Sequence, residues 1–209
     1  MSLDIVIVDY GAGNLRSVAK AFEQIGFPAR ISDDPAELLR ARGVILPGVG
    51  SSGAAMAALQ ERRLVEPLRE VATRGIPFFG VCLGLQIFLE GSEEDERPCL
   101  GIVAGRVKRL PEGIKVPHMG WNRVNLTRQH PVFQGVPSES YFYFVHSYYA
   151  EPEEPSLTLG TTDYAVTFCS VLAKGNLIAT QFHPEKSGPL GLQLYENFVR
   201  LMVIEKVSP

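Results

Sequence analysis

Three short segments of this chain carry residue types that could do chemistry together. Gly80-Val81-Cys82-Leu83-Gly84 has the form G-x-C-x-G, a nucleophile elbow with cysteine in place of serine. Such a turn holds its nucleophile at a strained angle, and the flanking glycines let the backbone pass without a side-chain clash. At the start of a helix, unpaired N–H groups and the dipole favour a thiolate, and the N–H of Leu83 is placed to bind an oxyanion. Alone, Cys82 is also readable as a buried structural thiol.

The second segment, Gln181-Phe182-His183-Pro184-Glu185, separates the two readings. Proline pushes the preceding residue into extended geometry, so His183 should be β-like. Residues two apart in an extended chain face the same way, which puts His183 and Glu185 on one side. A carboxylate there can hold the imidazole's tautomer and stabilise the imidazolium, so Cys82, His183 and Glu185 form a nucleophile, a base and its orienter. The third segment, Pro47-Gly48-Val49-Gly50, offers backbone N–H groups for an oxyanion hole if it lies beside Cys82; by itself it is an ordinary strand-to-helix turn.

The elements that must position these segments can be read from hydrophobic periodicity. Residues 5–8 read as a buried strand, and Asn14 can cap a helix with Val18, Ala21, Phe22 and Ile25 on its apolar side, ended by Gly26. Asp34-Pro35 opens a second helix in cap and first-turn positions. Residues 43–46 form another strand, residues 59–73 are mostly helical with Pro67 as the point of a break or kink, and residues 76–81 form a central strand covered on both faces. After about Glu90 the pattern changes to short β-rich stretches at 101–110, 121–126, 141–149, 158–162, 167–173 and 177–182, with Gly175-Asn176 as a hairpin turn. Residues 91–98 read as a charged surface loop. Residues 190–204 close the chain as an amphipathic helix with Leu194, Phe198, Leu201 and Met202 on its apolar side. The expected fold is α/β, three-layered, with a mostly parallel sheet and added antiparallel strands in the second half, in one domain over 1–209. Loops at the carboxyl ends of parallel strands gather into one crevice, which would bring Gly48 and Cys82 together.

Composition excludes several classes. The chain has 209 residues, 20 basic against 23 acidic, and its basic residues are scattered, so nucleic acid is a poor partner. No apolar run approaches the roughly 20 residues that cross a bilayer, and the opening Met-Ser-Leu-Asp lacks a secretory start; a soluble, cytoplasmic protein is expected. Cys82, Cys99 and Cys169 are widely and irregularly spaced, and His118, His130, His146 and His183 include no i,i+4 pair, so neither a disulfide framework nor a metal site is expected. Cys99 and Cys169 read as structural. Gly11-Ala12-Gly13 falls short of a dinucleotide fingerprint because Arg16 occupies the third glycine's place.

With these residues in view, the chain resembles the class I (triad) glutamine amidotransferases from Asp4 to about Ile204. Gly80–Gln86 resembles the family's nucleophile segment, and Gln181–Gly188, Q-F-H-P-E-K-S-G, its His/Glu segment. D-Y-G-A-G-N-L at 9–15, P-G-V-G at 47–50, H-M-G-W-N at 118–122 and F-V-H-S-Y-Y at 144–149 look like the family's histidine-pathway member in particular. The resemblance implies hydrolysis of glutamine by Cys82, His183 and Glu185, with Gly48, Val49 and Gly50 as a mobile oxyanion strand beside Leu83. It implies that Gln86, assisted by backbone around His146, Ser147 and Tyr148, binds the α-amino-acid end of glutamine. Asn14, Met119 and Trp121 would lie at or near a contact with a synthase subunit, a (β/α)₈ barrel that forms a heterodimer with the chain. The ammonia would pass to that subunit for the synthesis of imidazole glycerol phosphate and aminoimidazole carboxamide ribonucleotide. No metal or organic cofactor is implied. Rival readings are a glutaminase serving another acceptor and a stand-alone cysteine amidase.

Overall fold

The computed structural model describes residues 3–205; residues 1, 2 and 206–209 lie outside, and with them half of the opening tetrapeptide read for a leader. The first half alternates strand and helix: β1 (Ile5–Val8), α1 (Leu15–Gln24), β2 (Arg30–Ser32), α2 (Pro35–Arg40), β3 (Gly43–Gly48), α3 (Ser52–Glu61), α4 (Val65–Thr73), β4 (Phe78–Cys82) and α5 (Leu83–Ile87). β1, β3 and β4 are buried at every position, as strands covered on both faces must be. Their side chains alternate between two cores. Val6, Val44, Leu46 and Phe78 face the core built by α2 to α5, while Ile5, Ile7, Ile45 and Phe79 face the one built by Phe22 of α1 and the C-terminal helix. That alternation makes three layers.

The second half adds β5 (Gly91–Ser92), β6 (Gly105–Arg109), β7 (His118–Leu126), β8 (Ser140–His146), β9 (Tyr148–Pro152), β10 (Thr158–Tyr164), β11 (Val166–Lys174), β12 (Leu177–Thr180) and α6 (Gly188–Asn197). The main path of the sheet runs β2-β1-β3-β4-β12-β11-β10-β7-β8, with β9 joining β11 to β6 and β5 at the side. β2, β1, β3, β4 and β12 are parallel. From β12 onward, β11, β10, β7 and β8 are antiparallel. β12 is therefore the pivot, and Gly175-Asn176 turns β11 into it with Lys174 opposite Leu177.

Several local expectations need correction. Residues 59–73 are not one helix bent at Pro67: α3 ends before Arg63, which takes φ 57°, and Pro67 sits in the first turn of α4, where a missing N–H costs nothing. Asp34 does cap α2, its Oδ1 accepting from Ala36 N at 2.8 Å. Asn14 occupies the cap position of α1 but makes no capping bond with its side chain. The stretch 141–149 is two strands broken at Ser147, and the loop 91–98 begins with the buried pair Gly91–Ser92 on β6. The last helix starts at Gly188 and widens into π-helical winding over Phe198–Ile204, which buries Val199 and Val203 with Phe198 and Met202 and leaves Leu201 only half-buried. No described helix is long and apolar enough to cross a membrane.

Candidate active site

Cys82 ends β4 and caps α5 with φ 55° and ψ −104°, a conformation that L-residues with a side chain rarely adopt. The neighbouring glycines make it affordable. A Cβ on Gly84 would run into the Leu46 carbonyl of β3, and one on Gly80 would meet Gly84, Phe88 and Ala179 at 3.0 to 3.1 Å. The sequence thus places the elbow where helix and sheet approach too closely for any side chain. Gly48 pairs with Cys82 in the parallel register of β3 and β4, so the Pro47–Gly50 segment lies beside Cys82. Val49 is exposed, and Gly50 has φ 90°.

β12 is the other neighbour of β4, with Thr180 opposite Val81. That register delivers the segment after Thr180 to the carboxyl end of β4. His183 is extended, φ −101° and ψ 100°, but Pro184–Lys186 forms a 3₁₀ turn, so Glu185 returns to the histidine through a turn and not through extended chain. The expected contact is nonetheless made: His183 Nδ1 lies 2.9 Å from Glu185 Oε1. The turn is fixed from behind. His183 N donates to Tyr143 O at 3.0 Å, while Ser187 Oγ donates to His183 O at 2.6 Å and accepts from Tyr143 N at 3.0 Å. Tyr195 OH donates to Glu185 Oε2 at 3.4 Å.

With Nδ1 committed to Glu185, the interaction of the ring with Cys82 falls to Nε2, which is buried and has no other polar partner. Burial draws the imidazole's pKa down, but the attraction of Cys82 and Glu185 outweighs it and raises His183 to about 10. A histidine so held carries its proton at neutral pH beside the sulfur, which favours a thiolate–imidazolium pair. The remaining thiols differ. Burial pushes Cys99 up to about 11 and Cys169 up to about 12, and both are buried away from any histidine partner, as suits structural residues.

A cavity of about 350 Å³ opens over Cys82 and His183, lined also by Val49, Gly50, Leu83, Gln86, His146, Ser147 and Tyr148, with Glu94 and Lys186 among its other walls. Every residue read as oxyanion- or substrate-binding apart from Gly48 lines it, and Gly48 lies against Leu83 and Tyr10 just behind. The larger cavity of about 1010 Å³ near Phe133 and Leu201 has no cysteine in its walls. Met119 and Trp121 are 59% and 55% exposed and point outward from β7; they do not line the cavity, and neither does Asn14. Among the described residues no cluster of His, Cys, Asp and Glu could hold a metal ion.

Two residues of the site went unassigned in the sequence. Gln181 Nε2 donates to Cys82 Sγ at 3.6 Å, and its Oε1 accepts from Gln86 Nε2 at 3.0 Å. Its only signal was its place in the segment that carries His183. Glu94, in the loop read as surface, is the one carboxylate on the cavity wall among the described residues and is anchored by Ser52, whose N and Oγ donate to Oε2 at 2.7 and 3.1 Å.

Comparison with known proteins finds relatives over nearly the whole chain. The family model for "Glutamine amidotransferase class-I" matches residues 6–202. Imidazole glycerol phosphate synthase subunit HisH from Dehalococcoides mccartyi is 49% identical over 203 residues, covering 97% of this chain and 99% of that protein. The HisH subunit of Moorella thermoacetica is 51% identical over 199 residues, 95% of each chain. Among solved structures, PurLQS from Thermotoga maritima superposes with a TM-score of 0.77 at 18% identity, covering 96% of this chain and 99% of that one. A crystal structure of glutamine amidotransferase superposes at 0.74 and 19% identity, covering 93% and 97%.

Proposed function

The chain belongs to the class-I glutamine amidotransferases and, within them, to the HisH subunits of imidazole glycerol phosphate synthase, and on that premise we propose that Cys82, His183 and Glu185 hydrolyse glutamine to supply ammonia for histidine biosynthesis. The observation that carries the assignment of roles is the strained Cys82 beside a buried histidine that is itself held by Glu185.

The Cys82 thiolate attacks the γ-carboxamide carbon of glutamine. The resulting oxyanion takes hydrogen bonds from the N–H of Leu83 and from backbone N–H groups of Gly48, Val49 and Gly50. His183, protonated and oriented by Glu185, gives its proton to the departing nitrogen, and ammonia leaves a glutamyl thioester on Cys82. His183 then takes a proton from water as it attacks the thioester, and glutamate and the thiolate are released. Gln86 and the backbone at His146, Ser147 and Tyr148 receive the α-amino-acid end. Glu94 is suited to its ammonium group, because it is a carboxylate on that cavity wall, held in place by Ser52, and can accept charge-assisted hydrogen bonds. The steps use only side chains, backbone and water.

The partner is a synthase subunit with a (β/α)₈ barrel, joined as a heterodimer over the face bearing Asn14, Met119 and Trp121. Support comes from the outward apolar pair on β7, since large exposed apolar groups close together mark interaction surfaces. We further read the chain as one domain acting in the cytoplasm. The test is glutamine turnover by the chain alone and with the synthase subunit, for the parent and for Cys82→Ala. The variant should lose turnover by about 10³-fold or more, while its complex keeps synthase activity with free ammonia. Undiminished glutamine turnover by Cys82→Ala removes the assignment.

A further inference from the structure

The imidazole rings of His118 and His146 take no part in the steps above, yet every polar atom of both rings is committed. His146 Nδ1 lies 2.9 Å from the Tyr148 carbonyl oxygen, His146 Nε2 lies 2.9 Å from His118 Nδ1, and His118 Nε2 lies 3.2 Å from Asn122 Nδ2. These contacts admit one assignment of protons. A carbonyl can only accept, so His146 carries its proton on Nδ1 and accepts at Nε2. His118 must then donate from Nδ1 and accept at Nε2, which is what the Asn122 amide requires as a donor. The amide's orientation is fixed independently, because Nδ2 also donates to Asp163 O at 3.0 Å and Oδ1 accepts from Arg123 N at 2.8 Å. The relay thus donates in one direction, from Asn122 through His118 and His146 to Tyr148. Burial keeps both rings neutral, drawing His118 down to about 4 and His146 to about 3. The His118 ring is stacked on Tyr164 at 4.0 Å and on Phe144 at 5.0 Å.

The Tyr148 carbonyl at the end of this relay also accepts from Gln86 Nε2, at 2.8 Å. It is filled by two donors, one from the helix of the nucleophile elbow and one from the histidine pair. The other end of the relay lies on β7, where His118 and Asn122 face inward and alternate with the outward Met119 and Trp121.

We infer that His118 and Asn122 are positioning residues of the glutamine subsite, holding the Tyr148 carbonyl, and through it Gln86, from the strand that carries the exposed Met119 and Trp121. This rests on reading Gln86 and Tyr148 as the place where the α-amino-acid end of glutamine binds. Neither residue touches substrate. Their contribution is to hold a carbonyl and an amide in one arrangement before substrate arrives, which shows in binding more than in the chemical step.

The test uses the complex with the synthase subunit and three variants. His118→Phe keeps an aromatic ring for the stack and removes the donor. His118→Asn loses the stack but places an amide near the former Nδ1, and Asn122→Ala removes the far end. Loss of one such hydrogen bond predicts KM for glutamine raised about fivefold to tenfold in His118→Phe with kcat little changed, a smaller rise in Asn122→Ala, and partial recovery in His118→Asn. In the unmodified chain, nitrogen NMR should find both rings neutral with the proton on Nδ1, a measurement that needs no variant to fold and no substrate. An unchanged KM in His118→Phe, a proton on Nε2 of either ring, or His118→Asn no better than His118→Phe overturns the proposal. No glutamine turnover by the parent complex would instead overturn the functional reading, and the proposal with it.

Discussion

Gln181 joins Cys82 to Gln86: its Nε2 donates to Cys82 Sγ at 3.6 Å while its Oε1 accepts from Gln86 Nε2 at 3.0 Å. A buried amide that donates to a sulfur stabilises it more as an anion than as a thiol. Replacement by methionine, similar in volume and unable to donate, should slow alkylation of Cys82 by iodoacetamide at neutral pH. It should also lower kcat/KM for glutamine by about 10- to 10²-fold, the range for a hydrogen bond to a charged group. Alkylation at the parent rate would show that Gln181 only fills space.

Glu185→Gln preserves a hydrogen-bonding partner for His183 Nδ1 but removes the negative charge that supports the imidazolium. The fold should survive, with an unchanged circular dichroism spectrum, and kcat for glutamine should fall by about 10²–10⁴-fold by the logic of triads. Normal kcat would make the carboxylate incidental.

The raised pKa of His183 sets a sign for pH dependence. Its value rises from 6.5 in the free residue to about 10 in the folded protein, so the native state holds this proton more tightly than the unfolded chain does. The stabilisation is complete below pH 6.5, declines across the interval, and is gone once pH has risen through 10. Urea midpoints measured between pH 6 and 10.5 should therefore fall for the parent, and the gap between the parent and His183→Gln should close over the same range. Glutamine turnover should lose its alkaline limb near pH 10, where the proton owed to the leaving nitrogen disappears. A midpoint gap that stays constant to pH 10.5 would contradict the ion pair.

Two glycines separate close approach from mere turn geometry. A methyl group at Gly84 collides with the Leu46 carbonyl, whereas one at Gly26, φ 79°, meets open space. Gly26→Ala should cost about 1–2 kcal/mol for the left-handed backbone alone, and Gly84→Ala about 3 kcal/mol or more, because the backbone itself must shift. Equal losses of thermal stability in the two variants would show that the helix can slide off the sheet.

What the sequence made legible follows from how local each signal is. Buried parallel strands announce themselves as continuous apolar runs, so β1, β3 and β4 could be read, and with them the elbow at Cys82. The His183–Glu185 contact was also readable, although a 3₁₀ turn and not extended chain brings it about. The break between α3 and α4 was misplaced because Pro67 is a conspicuous residue in a harmless position, while Arg63 takes its left-handed conformation with no glycine to mark it. The roles of Gln181 and Glu94 depend on partners 99 and 42 residues away in the chain, and no window of sequence contains such a pair. The relay from Asn122 to Tyr148 was hidden for the same reason: its residues were quoted as two motifs, and only the pairing of His118 with His146 across β7 and β8 joins them.

The pivot strand has a consequence for how the protein is made. β12 follows every other described strand in the chain, and so leaves the ribosome after them, yet it is inserted in the middle of the sheet, between β4 and β11. Until it arrives, one side of β4 is an open edge of apolar strand, and Cys82 stands at its end without His183 beside it. The growing chain is thus most prone to self-association at the stage when it has no power to consume glutamine. Closing that edge and switching on the chemistry are one event, so a chain truncated before Leu177 should be both sticky and inert.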